Sequence, residues 1–510
     1  MAANLFIIEA PGKRKSLFEV LRRAGVRDID IDATVGHLCA NPDGFKPLGI
    51  DGQYRETLYR IKREKEHLAA SIAAKSSDAK RIFLATDDDQ EGDVIARDVL
   101  LFCIPEEYRH KAVRLRLKAL SLQEVQSALR EVQPFDTLLA AHGDARRVID
   151  RLIGAQSSGA GAVGRVQGSL LLALADQRPV VGVVTHTLAA VDGKGDFVAK
   201  VPVFAGQSVP DVLALLDAVG VASTESATMS QGPMNHDQIV LAASLRTGAD
   251  VSDISRAMQG LYEKGRMGYP RAKDAAITAE SLRRLTMVAR ANGAMFRSDL
   301  FTAVRGAAGA HGHEAPNPQV LDVHVNRNFE LLTLEEQVLV VVTQNLIDAG
   351  IESRVDRPNL AGLPEQAQGL DWSRHNAVGT RLWEQPATVA GMQKWSKEQS
   401  LLHFMMKNEL GRPSTVISHI TKFLTRDLVT QDFDLTRKGR EWSANIDSIL
   451  GHRNLSSEIE KYIENNRKLP SAMVEDMIEL FALHTIKTSV DQNTELIAHE
   501  NDEISSGYVP

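Results

Sequence analysis

Residues 82–93 read IFLATDDDQEGD, and this stretch decides the fold of the N-terminal part of the chain. The apolar run Ile82–Ala85 predicts a buried strand, and an acidic run follows the point where this strand ends. A second apolar run, Leu5–Ile8, also predicts a strand and is followed directly by Glu9. Apolar residues at helical spacing come after each strand. The pattern therefore predicts an α/β sheet domain that extends to about residue 133.

The acidic residues that follow the two strands are candidates for a metal site. Ligands of an open α/β sheet bind beyond the carboxyl ends of its strands. Because residues two apart in an extended segment face the same side, we expect Asp87, Asp89 and Glu91 to converge, with Glu9 beside them. Like charges held together need a counter-ion, and Mg²⁺ is the usual hard cation where phosphates are handled. The alternative is an acidic, solvated turn.

The composition excludes several classes of protein. The net charge is −7, so any contact with nucleic acid must use local basic patches, and the patch that contains Arg114 and Arg116 is interpreted as a solvated face. The two cysteines, Cys39 and Cys103, are too few for a four-cysteine zinc ribbon and favour a reducing compartment. No apolar run is long enough to span a membrane, and the N-terminal run lacks a preceding positive region. We expect a cytoplasmic protein with no membrane partner.

Two motifs resemble the signatures of the Toprim domain: EAPGK at 9–13 and ATDDDQEGD at 85–93. Toprim domains occur in topoisomerases, primases and some nucleases, so these motifs alone do not choose among them. Later motifs resemble, in the same order, those of type IA DNA topoisomerases: DARRVIDRLIG at 144–154, VGRVQGSLL at 163–171, LYEKGRMGYPRAKD at 261–274, GHEAP at 312–316 and ELGRPSTVISHITKFLTRDLV at 409–429.

The resemblance implies an α/β multidomain protein, in which a Toprim α/β domain, helical domains and a strand-rich arch form a toroid. The expected domains are 1–133 for Toprim, 134–182 with 395–490 for a helical DNA-gripping domain, 183–230 with 320–394 for the arch, 231–319 for the helical domain that carries the catalytic tyrosine, and 491–510 for a polar tail.

The resemblance also implies a reaction that needs no ATP. A tyrosine cleaves one DNA strand through a transient 5′-phosphotyrosine link, a strand passes, and the break is religated. This relaxes negative supercoils, decatenates, or does both. Tyr269 is the nucleophile by its position in the motif, and Tyr262, the competing candidate, is interpreted as structural. Gly268 and Pro270 predict that Tyr269 lies in an exposed, fixed turn.

Four further residues are expected to act with Tyr269. Arg271 and Lys13 would contact the phosphate, where cations stabilise developing charge. Glu9 would transfer a proton to the departing 3′-oxygen, beside Mg²⁺ held by the other carboxylates. His313 would support the phosphate or Tyr269, and a packed core histidine is an equal alternative.

DNA is the expected partner, with single-stranded segments preferred. The residues expected to contact it are Arg165, Gln167, Arg146, His37, Arg412 and Ser414. Arg146 and Arg147 are adjacent and cannot face the same way on a helix, so at least one of them is expected to pair with Asp144 or Asp150.

Several positions depart from the pattern of the family. Asp88 and Gln90 stand where the family usually has proline and arginine, and Ala10 replaces a serine. We interpret the chain as a divergent, monomeric, topoisomerase III-like member without zinc ribbons. Two alternatives remain open: a Toprim nuclease or primase, which would not need Tyr269, and a non-enzymatic DNA-binding protein.

Overall fold

The structure is a computed structural model of the 510-residue chain. It describes residues 3–157, 163–192, 196–214, 216, 223–229, 232–273, 276–300, 313–351, 353–361, 364–372, 374–376, 391–483 and 486. The predicted tail, 491–510, lies outside these ranges. The chain divides into two compact units, one formed by Met1–Ala175 with Arg437–Pro510 and the other by Asp176–Thr436. The finer division into four domains stays a prediction.

The first unit contains a parallel sheet and two groups of helices. Its strands are β1 (Asn4–Ile8), β2 (Ile29–Ala33), β3 (Cys39–Ala40), β4 (Arg60–Ile61), β5 (Arg81–Leu84), β6 (Ala112–Arg114) and β7 (Gln133–Pro134). Its helices are α1 (Arg14–Arg23), α2 (Glu66–Asp78), α3 (Gln90–Asp98), α4 (Leu122–Arg130), α5 (Ala141–Gln156), α6 (Arg165–Asp176, whose last residue belongs to the second unit), α15 (Arg437–Leu450), α16 (Leu455–Asn465) and α17 (Pro470–Leu480).

The sheet of the first unit has the strand order β2-β1-β5-β6-β7. The strands β2, β1, β5 and β6 pair in parallel, and only β7 pairs with its neighbour in the antiparallel sense. Every side chain from Leu5 to Ile8 is buried, because helices cover both faces of a parallel sheet. On one face, Leu17 and Leu21 of α1 pack against the sheet.

The helices α5, α15, α16 and α17 enclose a separate apolar core in the first unit. Ile149 and Ile153 of α5 pack in this core with Ile459 and Ile463 of α16 and with Met473 of α17. Segments more than 280 residues apart in the sequence therefore form one hydrophobic cluster, which fixes α16 against α5.

The second unit combines two small antiparallel sheets with helices. Its strands are β8 (Val180–Leu188), β9 (Phe197–Phe204), β10 (Ser223–Met229), β11 (Ser353–Pro358), β12 (Arg374–Asn376) and β13 (Gln393–Lys394). Its helices are α7 (Val209–Ala214), α8 (His236–Thr247), α9 (Val251–Glu263), α10 (Ala279–Ala291), α11 (Leu334–Ala349), α12 (Glu365–Gln368), α13 (Lys397–Lys407) and α14 (Val416–Leu424). One sheet has the order β13-β8-β9 and the other β10-β11-β12.

Most of the predicted elements are confirmed. The predicted strands 5–8 and 82–85 correspond to β1 and β5. The chain is an α/β multidomain protein, as predicted. Among the described residues, no helix has both the length and the apolar character that crossing a membrane requires.

Candidate functional site

Both predicted acidic segments leave the first sheet at the same edge. β1 and β5 are neighbouring parallel strands, with Ile7 opposite Leu84. Glu9 follows β1 directly, and Asp87 comes three residues after the end of β5. Parallel strands end at a common edge, so both carboxylates lie beyond the carboxyl ends of the strands, where ligands bind in open α/β sheets.

The predicted extended alternation stops at Asp89. This residue is the N-cap of α3, and its carboxylate accepts a hydrogen bond from the backbone N–H of Gly92 at 2.6 Å. Capping by aspartate starts a helix, so Glu91 lies in the first turn of α3 and not on an extended segment. The prediction that extended spacing brings Glu91 to the side of Asp87 and Asp89 is therefore wrong.

Asp87 is held in place from several sides. Its carboxylate forms a buried ion pair with the Lys13 ammonium, and its backbone carbonyl accepts a hydrogen bond from Arg114 at 2.7 Å. A Cβ on Gly92 would lie 2.0 Å from the same carbonyl, so only glycine allows α3 to approach so closely. The structure thus brings Lys13 to the acidic edge, and each charge of the buried pair depends on the other.

Two arginines predicted to lie on a solvated face belong to this edge. Arg114 is buried, and its Nε donates to Asp93 at 3.0 Å. Arg116 donates to both carboxylate oxygens of Asp93 at 3.0 Å and pairs with Asp88. Burial raises the pKa of Asp93 despite both cations. Their position in the chain carries the signal: Arg114 is the last residue of β6, the strand next to β5, and Arg116 follows two residues later.

His37 interacts with the acidic edge through Glu91. Nε2 of His37 lies 3.2 Å from Oε2 of Glu91. Burial lowers the pKa of His37, but the hydrogen bond and charge of Glu91, followed by the charges of Asp98 and Glu9, outweigh burial and raise this pKa above its ordinary value. His37 is therefore brought together with two of the predicted acidic residues.

The four carboxylates do not form a joint metal cage. Within the ranges that the structure describes, no group of three or more His, Cys, Asp or Glu side chains is placed to hold a metal ion. Joint coordination by Glu9, Asp87, Asp89 and Glu91 is thus a prediction that the arrangement does not support. The donor chemistry nevertheless fits Mg²⁺, which is usually bound through one or two carboxylates together with water and substrate phosphate. The half-buried Asp89 and Glu91 meet this smaller requirement.

In the second unit, Tyr269 lies in the loop between α9 and α10. A neighbouring segment holds this loop by backbone hydrogen bonds: Gly268 N–H donates to the Asn317 carbonyl at 2.8 Å, and Gln319 N–H donates to the Arg266 carbonyl at 2.9 Å. The turn predicted around Tyr269 is therefore confirmed, and its backbone is fixed on this side.

The ring of Tyr269 is packed and not exposed. Its side chain stacks on His313, with ring centroids 4.1 Å apart, and meets Tyr262 edge to face at 5.6 Å. Tyr269 is only 3 % exposed. The prediction of an exposed residue is wrong, because the two neighbouring rings surround it. The structure does bring His313 to Tyr269, as the resemblance implies.

The chain that follows Tyr269 is also held. The His236 side chain contacts the Pro270 carbonyl at 2.8 Å, and the His236 backbone N–H donates to the Ala272 carbonyl at 3.0 Å. These two carbonyls lie on either side of Arg271. No local sequence pattern predicts His236 as a site residue, because nothing near it in the sequence shows that α8 meets this loop.

The arginines predicted to contact DNA are mostly internal. Arg165 is 1 % exposed and donates to Glu460 of α16 at 2.8 Å and to Asp150 at 2.8 Å. Arg146 is also buried and donates to the same Glu460 carboxylate at 2.8–3.1 Å. Direct DNA contact by Arg165 and Arg146 is therefore not supported in this arrangement, since one carboxylate binds both. Arg147 pairs with Asp144 at 2.8 Å, as expected for one member of the arginine pair.

The remaining predicted DNA contacts differ in accessibility. Gln167 lies on α6 and is buried, so the prediction that it contacts DNA is not supported either. Arg412 and Ser414 are half-buried in the turn before α14, where the Arg412 carbonyl accepts a hydrogen bond from the Val416 N–H at 2.8 Å. Their side chains stand at a helix N-terminus, which favours anions.

The sequence is similar to one known domain family and to several known proteins. The family model of the Toprim domain matches residues 4–118. The plasmid-encoded DNA topoisomerase I of Xylella fastidiosa is 26 % identical over 311 residues, which cover 55 % of this chain and 45 % of that protein. DNA topoisomerase 1 of Mycoplasma genitalium is 30 % identical over 167 residues, which cover 30 % of this chain and 23 % of that protein. The chain thus matches less than half the length of these relatives.

The fold also has a solved counterpart. Full-length topoisomerase I from Thermotoga maritima superposes with a TM-score of 0.61 at 16 % sequence identity, and the match covers 94 % of this chain and 90 % of that one. At this identity the likeness establishes a shared fold. The chain thus contains a Toprim domain, is similar in sequence to proteins named DNA topoisomerase 1, and shares its fold with the Thermotoga protein.

Proposed function

We propose that this chain is an ATP-independent type IA DNA topoisomerase. It cleaves one DNA strand through a transient 5′-phosphotyrosine link, passes a strand through the break and religates it. The observation that carries the proposal is the loop of Tyr269. Backbone hydrogen bonds fix this loop on both sides, and it presents a tyrosine two residues before Arg271 and in contact with His313.

The proposed reaction exchanges one phosphodiester for another. The Tyr269 hydroxyl oxygen attacks phosphorus and loses its proton, the bond from phosphorus to the 3′-oxygen breaks, and that oxygen gains a proton. Glu9 is the proposed proton-transfer group at the 3′-oxygen. Because the phosphotyrosine retains the bond energy, attack by the 3′-hydroxyl reverses the step without ATP.

Positive groups would stabilise the charge that develops on the phosphate oxygens. Arg271 is the proposed contact on the nucleophile's own loop, and Lys13, held at the acidic edge by Asp87, is the proposed contact from the Toprim domain. Fixed donors aimed at developing charge are usually the largest catalytic contribution. His313 is proposed to hold the phosphate or the tyrosine hydroxyl.

Mg²⁺ is the proposed cofactor. Asp89 and Glu91 would hold it through carboxylate oxygens, with Asp87 and Glu9 close by on the same edge. When bound, Mg²⁺ supplies positive charge that orients DNA phosphates. Asp89 accepts the α3 capping hydrogen bond, and Glu91 contacts His37. Both carboxylates are half-buried at this edge of the sheet.

The proposed substrate is DNA with single-stranded segments. Arg412, Ser414 and His37 are the proposed contacts, whereas Arg146, Arg165 and Gln167 are proposed to hold the helices that form the DNA-gripping domain. We propose the four domains and the tail with the boundaries given by the resemblance, and a monomer. The proposed compartment is the cytoplasm, which keeps the buried thiols of Cys39 and Cys103 reduced.

Relaxation of a negatively supercoiled plasmid tests the proposal. With Mg²⁺ and without ATP, the protein is expected to yield a ladder of closed circular topoisomers, and Tyr269→Phe is expected to yield none. Nicked or linear products that persist, also with Tyr269→Phe, would favour the Toprim nuclease. Retarded plasmid with unchanged linking number in both proteins would favour a non-enzymatic DNA-binding protein.

A further inference from the structure

The first turn of α8 holds the segment that carries the proposed nucleophile. Nδ1 of His236 donates to the Pro270 carbonyl at 2.8 Å, and the backbone N–H of the same residue donates to the Ala272 carbonyl at 3.0 Å. Pro270 follows Tyr269, and the two carbonyls flank Arg271. One residue of α8 therefore fixes the chain on both sides of Arg271.

The N-terminus of α8, which carries His236, is firmly held. Asn235 is the N-cap of α8 and forms a capping box with Gln238, in which the side chain of each accepts from the backbone of the other. His236 is the first helical residue after this cap and is 1 % exposed. The helix packs against α9, α11 and α13. A contact made from this turn is therefore held by the packed core of the second unit.

The opposite side of the loop has its own support. Gly268 N–H donates to the Asn317 carbonyl at 2.8 Å, and Ala315 N–H donates to the Ala276 carbonyl at 2.7 Å. These two bonds hold the loop at Gly268, just before Tyr269, and at Ala276, seven residues after it. Between these points, His236 binds the carbonyls of Pro270 and Ala272. Losing the His236 side chain would remove the bond to Pro270 and leave the backbone bond to Ala272 as the remaining contact from His236.

The protonation of His236 suits a fixed donor. Burial lowers the pKa of His236 to about 4, with the bond to the Pro270 carbonyl opposing this and the Arg271 charge adding to it. A neutral imidazole has one N–H, and the carbonyl fixes it at Nδ1. Nε2 is buried without a hydrogen-bond partner, which is unfavourable. An apolar residue would remove that penalty, but it would also lose the bond to Pro270.

We propose that His236 is a positioning residue for strand cleavage: its Nδ1–H sets where Tyr269 and Arg271 stand, without contacting DNA. This inference rests on the proposed function, because it takes Tyr269 as the nucleophile. The motifs that resemble topoisomerases do not include His236.

Two matched variants separate positioning from general loss of structure. In His236→Asn, the amide nitrogen occupies the place of Nδ1 and keeps the donor. In His236→Gln, the amide nitrogen occupies the place of Nε2 and the donor to Pro270 is lost. Displacing reacting groups by about 1 Å costs on the order of 100-fold in rate, so His236→Gln is expected to slow single-turnover cleavage of a single-stranded oligonucleotide by about 100-fold. His236→Asn is expected to stay within a few-fold of the unmodified protein.

Two further measurements complete the test. Oligonucleotide affinity without Mg²⁺ is expected to be alike in the two variants, because residue 236 does not contact DNA. The thermal midpoint of His236→Gln is expected to fall only slightly below that of His236→Asn, since one hydrogen bond to Pro270 is lost. Hydrogen exchange at the amides of Gly268 and residue 236 is expected to accelerate in His236→Gln only. This measurement reports how firmly the loop is held, independently of activity.

The outcomes are distinguishable. Unchanged cleavage in His236→Gln, or equal loss in both variants, would overturn the positioning role. If the unmodified protein forms no tyrosine adduct, the proposed function fails, and hydrogen exchange alone then decides whether His236 holds the loop. Equal exchange in both variants would overturn that as well.

Discussion

The ring of Tyr269 stacks on the ring of His313, with centroids 4.1 Å apart and planes inclined by 22°. Both side chains are buried. If Tyr269 is the proposed nucleophile, its packed surroundings must move before its hydroxyl attacks a DNA phosphodiester. The stack also keeps an imidazole within reach of the phosphate that Tyr269 would bind.

His313 can contribute by packing or by its ring nitrogens, and substitution separates the two. His313→Phe retains a stacking ring without a nitrogen. Because loss of a donor to developing phosphate charge costs about 100-fold or more, we expect this variant to cleave a single-stranded oligonucleotide at least about 100-fold more slowly. Its thermal midpoint should change little. If His313→Phe cleaves at the rate of the unmodified protein, His313 contributes only by packing.

The buried carboxylate of Glu460 binds both Arg146 and Arg165. Removing one partner of a buried ion pair costs about 3–5 kcal/mol, because the remaining charge is left uncompensated. Glu460→Gln is therefore expected to lower the thermal midpoint of the first unit by roughly 10 °C. Glu458→Gln, on the same helix and with a side chain 42 % exposed, is the control and should unfold as the unmodified protein does. Equal midpoints for the two variants would show that Glu460 does not hold these helices.

The local parts of the fold were predictable, and the long-range charge pairs were not. The apolar runs before Glu9 and Asp87 predict β1 and β5, because a buried strand needs only local apolar residues. The start of α3 was missed because Asp89 acts as a cap, which the acidic run conceals. Glu460 and Arg165 are 295 residues apart, and no periodicity in a single sequence pairs them. The contact of His236 with Pro270 could not be predicted for the same reason, because the two residues are 34 apart in the sequence.

His236 should remain neutral well below the ordinary pKa of histidine, because burial lowers its pKa from 6.5 to about 4. Between these values the unfolded chain binds a proton here and the folded protein does not. The free energy of unfolding therefore rises with pH across this window, by about 3 kcal/mol in total from this residue.

Carbon NMR of ¹³Cε1-labelled histidine checks this, with the His236 resonance assigned by its absence in His236→Asn. We expect the resonance not to titrate between about pH 8 and pH 5, where an ordinary histidine does. A midpoint near the ordinary pKa would contradict the buried, neutral donor.

Asp89 should govern the requirement for Mg²⁺. Asp89→Asn retains the α3 cap, because asparagine caps as well as aspartate does, but it removes one anionic oxygen ligand. We expect the Mg²⁺ concentration for half-maximal religation to rise by about 10-fold or more. Asp88→Asn, whose side chain faces Arg116, is the control and should leave the requirement unchanged. If the Mg²⁺ requirement rises in Asp88→Asn and not in Asp89→Asn, Asp89 is not a ligand of the metal.

The central claim is that Tyr269 forms the covalent link to DNA. The most direct measurement is mass spectrometry of the protein–oligonucleotide adduct trapped by denaturation after incubation with Mg²⁺ and a single-stranded oligonucleotide. We expect a 5′-phosphate on Tyr269, no adduct with Tyr269→Phe, and an adduct with Tyr262→Phe, whose ring is buried in contact with Tyr269. An adduct that persists in Tyr269→Phe, or one that maps to Tyr262, would contradict the account.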